Sequence, residues 1–168
     1  MTLMETIKGR RSIRAYDSKP VEKEKLEAVL EAARLAPSAR NRQKWRFIVV
    51  TDPALRGKML DACNNQQFVS QAPAIIVACG QEPGMMSCGQ PVETIDASIA
   101  FSFMILKAYE EGLGTCWLGN FNKDKVKAVL GIPENVSVVA VTPIGYPAEN
   151  PDAKPRDSLD AIVSWDRY

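Results

Sequence analysis

The chain has 168 residues, enough for one domain with its own hydrophobic core and too few for two of full size. Its 21 basic and 20 acidic side chains leave a net charge of +1, so no global field draws it to nucleic acid or to an anionic membrane, and any anion must be bound locally. There is no histidine, which excludes a Ser-His-Asp or Cys-His nucleophile, a histidine metal site and a histidine base; enzyme chemistry would then rest on a bound organic cofactor.

The chain starts with about one turn of helix-like sequence, and then places Lys8, Arg10, Arg11 and Arg14 around Ser12. Arginine presents a planar fork of donors suited to phosphate oxygens, and serine adds a hydroxyl. A solvated basic turn explains the same cluster. Pro20 to Leu35 has Leu26, Val29, Leu30 and Ala33 at helical spacing, and Pro37 ends that helix. The polar stretch 36–45 then leads into a short strand at Phe47–Val50. Asp52 and Pro53 are an N-cap and a first-turn proline, predicting a helix to about Cys63.

Ala74 to Cys79 is a continuous apolar run of the kind buried on both faces of a sheet. Residues 81–91 read as a loop. From Val92 to about Glu111 the sequence is apolar almost all round, which predicts a helix buried centrally or against a partner chain. Thr115–Leu118 reads as a short strand, Asn122 as the cap of a helix through Leu130, Gly131 as its stop, and Val136–Ile144 as the longest strand. The tail from Pro147 is proline-punctuated and carries a second basic pair, Lys154 and Arg156. Interleaved helices and strands predict an α/β or α+β layered domain with helices on both faces of a sheet. Neither Gly-x-Gly-x-x-Gly nor a P-loop is present, so arginine would have to replace glycine-rich backbone as phosphate binder.

The four cysteines, Cys63, Cys79, Cys88 and Cys116, are widely spaced with no Cys-x-x-Cys, which fits neither a zinc site nor a disulfide framework. They read as reduced cytosolic thiols. With no signal-like or membrane-spanning run, the expected location is the cytoplasm. Cys88 lies in the 81–91 loop without cationic neighbours in sequence, so an ordinary thiol is the plainer reading.

The ordered set GRRSIRAYDSKPV, LEAARLAPSARNRQKWRFIVV, NNQQFVSQAPAIIV, GLGTCWLGNF, LGIPENVSVVAVTPIGYP and KPRDSLDAIV resembles the flavin-dependent nitroreductase family over nearly the whole chain. The resemblance implies a three-layer sandwich with a mixed, mainly antiparallel sheet, one domain over 1–168, and residues 147–168 extended over the partner of a homodimer. It implies FMN at the subunit interface, and hydride passing from NAD(P)H through flavin N5 to a nitroaromatic, quinone or similar small acceptor by a ping-pong mechanism. By position, Arg10, Arg11, Ser12 and Arg14 match residues that hold the FMN phosphate and reach the ring, with Arg11 or Arg14 as its electrostatic support. Lys154 and Arg156 match a second phosphate clamp. Pro37, Ser38, Ala39, Asn41 and Gln43 match the loop reaching the flavin from the other subunit, while Gln66, Trp117, Leu118 and Gly119 match positions near the isoalloxazine.

The chain departs from the family pattern at Lys44, where proline is usual, and at Arg40 and Arg42, which make this loop basic and leave room for an acidic substrate or a nicotinamide-cofactor phosphate. Rival readings are other flavin chemistry on the same fold, reductive dehalogenation or flavin fragmentation, for which residues 80–91 would supply the lid. A non-enzymatic FMN-binding protein is a third. Near-neutral charge argues against a nucleic-acid partner.

Overall fold

A computed structural model describes residues 1–168. Its sheet has four strands, β1 (Trp45–Val50), β2 (Ala74–Gly80), β3 (Gly114–Thr115) and β4 (Ser137–Gly145), in the order β1-β2-β4-β3. All three ladders are antiparallel. The expected mixed character is therefore confined to one isolated parallel bridge, between Ser12 and Thr115.

Strand β2 shows why the fold has three layers. Ala74, Ile76 and Ala78 point into one core with Leu26, Val29 and Ala33 of α2 (Lys23–Arg34) and Ala100, Phe101 and Met104 of α5 (Val92–Glu110). Ile75, Val77 and Cys79 point into a second core with Met59 and Ala62 of α3 (Pro53–Ala62), Val69 of α4 (Gln67–Gln71) and Val126 of α6 (Lys123–Leu130). Alternation along a strand divides its side chains between the faces, so an apolar run without alternation is stable only where helices cover both. That is the burial the sequence run demanded, achieved here between antiparallel neighbours.

Most predicted boundaries agree with the structure. Asp52 Oδ1 accepts the Leu55 N–H at 2.8 Å, and Asn122 Oδ1 accepts those of Asp124 and Lys125, capping α3 and α6. Gly131 ends α6 at φ 65°, a left-handed conformation glycine takes without a Cβ penalty. The opening segment is α1 (Leu3–Gly9), closed by a reciprocal capping box between Thr2 and Glu5. Helix α4 has no counterpart among the predicted elements, because five residues are too short for a periodic signal.

The strand expected at Thr115–Leu118 is interrupted. Thr115 pairs with Ile144 and Leu118 with Val141, one continuous register that sets Cys116 opposite Pro143. Proline has no N–H to give, so the ladder breaks there, and Cys116 N–H donates to Thr142 Oγ1 at 3.0 Å instead.

Helix α5 explains its own greasiness only on one side. Phe101 and Met104 are buried beneath it, but Phe103 is exposed, and Ile95 and Leu106 are only half-buried. Beyond Tyr146 the chain is mostly exposed, including Leu159 and Ile162 of α7 (Leu159–Ile162) and Trp165.

Candidate functional site

The two basic stretches, some 140 residues apart in sequence, are brought together by β4 and the segment after it. Asp17 N–H donates to the Tyr146 carbonyl and Ala148 N–H to the Ala15 carbonyl, each at 2.9 Å, so residues 15–17 and 146–148 run side by side. Upstream, Ile13 N–H donates to the Thr115 carbonyl at 2.9 Å, fixing residues 10–14 to the sheet edge. Gly114 makes that approach possible, since a Cβ there would stand 2.7 Å from Ile13 Cγ1. The Tyr16 hydroxyl donates to the Ile13 carbonyl at 2.6 Å and closes the turn, and burial pushes its phenol pKa up.

The result is a groove of about 590 Å³ lined by Lys8, Arg10, Arg11, Ser12 and Arg14 on one wall and by Asp152, Lys154 and Arg156 on the other. None of these cations forms an ion pair in the chain, whereas nine salt bridges form elsewhere. Burial, and next the charges of Arg156 and Arg11, push the Arg10 guanidinium below its ordinary pKa. A group in that position lacks a counter-charge, and an anion in the groove would supply one.

The arginines are not equivalent. Arg11 Nη1 donates to the carbonyls of Lys8, Gly9 and Arg10, at 2.6, 3.0 and 3.0 Å, and so satisfies the C-terminal end of α1. Arg14 has its main-chain N–H bound by the Glu149 carboxylate, leaving the guanidinium without a protein partner. Glu149 carries no sequence signal for this role; only the pairing of 15–17 with 146–148 delivers it.

The loop from Pro37 to Gln43 lies on a different part of the surface. Arg40, Asn41 and Gln43 adopt φ of 53°, 54° and 54°, a left-handed region that non-glycine residues enter at a cost. Ser38 Oγ accepts the Gln43 N–H at 3.0 Å, and Asp96 Oδ1 of α5 accepts the Ala39 N–H at 3.0 Å. Three residues earlier on the same helix, Glu93 Oε2 accepts the Gly84 N–H of the 81–91 segment at 3.1 Å. Both carboxylates are buried, and sequence carries a signal for them: acids inside an otherwise apolar helix.

Gln66, Trp117, Leu118 and Gly119 lie outside the basic groove. Gln66 Nε2 donates to the carbonyls of Cys63 and Asn120, at 2.9 and 2.8 Å, tying the start of α4 to the 117–120 segment. Trp117 is partly exposed and stands edge-on to Phe101, with ring centroids 4.6 Å apart. Leu118 is buried in the second core. Burial raises the Cys116 thiol pKa, and Cys88 is the one exposed cysteine. No helix is long and apolar enough to cross a membrane.

Comparison with known proteins gives a consistent result. The Nitroreductase family model matches residues 7–88 and 61–146. An NADH dehydrogenase of Thermus thermophilus is 32% identical, over 93% of this chain and 92% of its own. The solved NADPH:FMN oxidoreductase of Vibrio harveyi, complexed with NAD+, superposes with a TM-score of 0.90 at 26% identity, over 99% of this chain and 77% of its own. Iodotyrosine deiodinase 1 of Rattus norvegicus is 26% identical, over 95% of this chain and 67% of its own.

Proposed function

The chain belongs to the nitroreductase family, and from that premise we propose that it is a cytoplasmic NAD(P)H-dependent oxidoreductase that binds FMN and reduces a nitroaromatic, quinone or similar small acceptor by a ping-pong mechanism. The observation that carries this reading is the groove where unpaired cations from both ends of the chain converge with Ser12. Arg10, Lys154 and Arg156 are suited to hold a phosphate there, with the Ser12 hydroxyl as a neutral donor. Arg11 is committed to the end of α1, so of the two arginines considered for the ring, Arg14 is the one free to offer it a positive charge.

When bound, FMN supplies the hydride chemistry, which accounts for a chain with no histidine. The side chains are left with binding, orientation and the placing of positive charge where the ring gains electrons. In this reading Pro37, Ser38, Ala39, Asn41 and Gln43 reach the flavin of the second copy in a homodimer, and Gln66 with the segment Trp117, Leu118 and Gly119 stands near an isoalloxazine ring. The open apolar face supports the dimer: Leu3, Ile7, Phe103 and Leu106 line a cavity of about 520 Å³, and the exposed tail carries Leu159, Ile162 and Trp165. The same exposure supports the tail's role over the partner subunit. Four free cysteines suit a reducing compartment.

The purified protein is expected to be yellow, or to turn yellow with FMN, and to bleach anaerobically with NADH or NADPH. A protein that takes up no FMN overturns the reading, and flavin that fails to bleach makes it a carrier. The deiodinase relative favours one second reading, reductive dehalogenation, which iodide release from an iodinated tyrosine would reveal.

A further inference from the structure

Outside the basic groove, a second cleft of about 300 Å³ opens between the 39–42 turn and the 83–91 segment. Arg40, Arg42, Met85, Met86 and Ser87 line it. Arg40 has no ion pair and no side-chain hydrogen bond in the chain, and its left-handed backbone is maintained by the turn around it: Asn41 N–H donates to the Ser38 carbonyl at 2.9 Å, and Arg42 N–H to the Ala39 carbonyl at 3.1 Å. Arg42 and Lys44 share one carboxylate, Glu82, which leaves Arg40 as the cation of this cleft with no carboxylate partner. The other acids nearby, Glu93 and Asp96, lie buried beneath the cleft, each already accepting a main-chain N–H.

The walls are built rather than loose. Asp96 ties down the first and Glu93 the second, while Met86 N–H to the Gln90 carbonyl and Val92 N–H to the Gly84 carbonyl close the 83–91 segment on itself. The Glu82 carboxylate spans the two. A cation facing two methionine side chains is a surface for an anionic group carried on an aromatic body, the guanidinium taking the charge and the thioethers the ring.

We propose that this cleft binds the anionic substituent of an aromatic ligand of the enzyme, with Arg40 as the residue that sets the preference for charge. The proposal rests on the oxidoreductase reading for what the ligand is, either a carboxylated acceptor or the phosphate-bearing end of NADPH. Its test compares wild type with Arg40→Asn, which removes the charge but tolerates the left-handed backbone, and with Arg40→Lys, which restores a charge.

In steady state, the kcat/KM ratio of 4-nitrobenzoate to nitrobenzene should fall about tenfold in Arg40→Asn and recover partly in Arg40→Lys, if the acceptor carries the anion. A fall in the NADPH to NADH ratio instead assigns the same cleft to the reductant. If both ratios stay at wild-type values, the proposal is overturned. Calorimetric titration of the protein with 4-nitrobenzoate keeps the two readings separate: with no turnover of any acceptor but a charge-dependent loss of binding in Arg40→Asn, the cleft stands and the oxidoreductase reading falls.

Discussion

The sheet and the basic groove are opposite solutions to burying groups from one chain. At the sheet, β2 lies between two helical layers, and no buried side-chain polar atom in the molecule lacks a partner. At the groove, cations from α1's end and from the tail gather without pairing to any carboxylate, although acids are nearly as plentiful as bases in the chain. The first region is finished by folding. The second is left electrostatically open, and folding alone does not complete it.

That contrast predicts a large loss of stability on one side, and a loss of cofactor binding with little change in stability on the other. Phe101 is fully buried, so Phe101→Ala should cost about 3–5 kcal/mol of unfolding free energy, read by urea denaturation. A loss under about 1 kcal/mol would show a core less closed than its packing implies.

Alkaline titration probes the same core. Burial raises the Cys63 and Cys79 thiols from 9.0 to about 11. Between these values the folded chain keeps protons that the unfolded chain releases, so stability should fall as pH rises from 9 to about 11, by about 2 kcal/mol per thiol, and be independent of these groups below pH 9. Replacing both by alanine should flatten that slope, and an unchanged slope would assign it elsewhere.

At the groove, Arg10→Ala should weaken FMN binding by about 2 kcal/mol, roughly thirtyfold, while the flavin-free protein unfolds within about 0.5 kcal/mol of wild type. Equal losses in both measurements would make Arg10 a structural residue and dissolve the contrast. The smallest effect separates its two neighbours. Arg14→Ala is expected to make the reduction potential of bound flavin more negative with stability unchanged, whereas Arg11→Ala should cost about 0.5–1 kcal/mol through the end of α1. Potentiometry and thermal unfolding of both variants read this, and identical behaviour would remove the distinction.

The sequence by itself determined the elements and their burial. Caps at Asp52 and Asn122, the stop at Gly131, the unalternating run of β2 and the 3.6-residue period of α2 are local signals, and each is answered by the structure within a few residues. The ordered motifs also pointed to the residues that meet in the groove. Tertiary structure alone decided the rest, because the deciding contacts are between segments far apart in the chain. Pro143 breaks the 115–118 strand only through its register opposite Cys116. Arg11 and Arg14 look alike in sequence, and differ because one lies over the carbonyls ending α1 while the other's backbone is held by Glu149, 135 residues away. Likewise, the basic loop at 40–44 reads as a local departure, and becomes one wall of a cleft because α5 carries acids that hold two distant segments side by side.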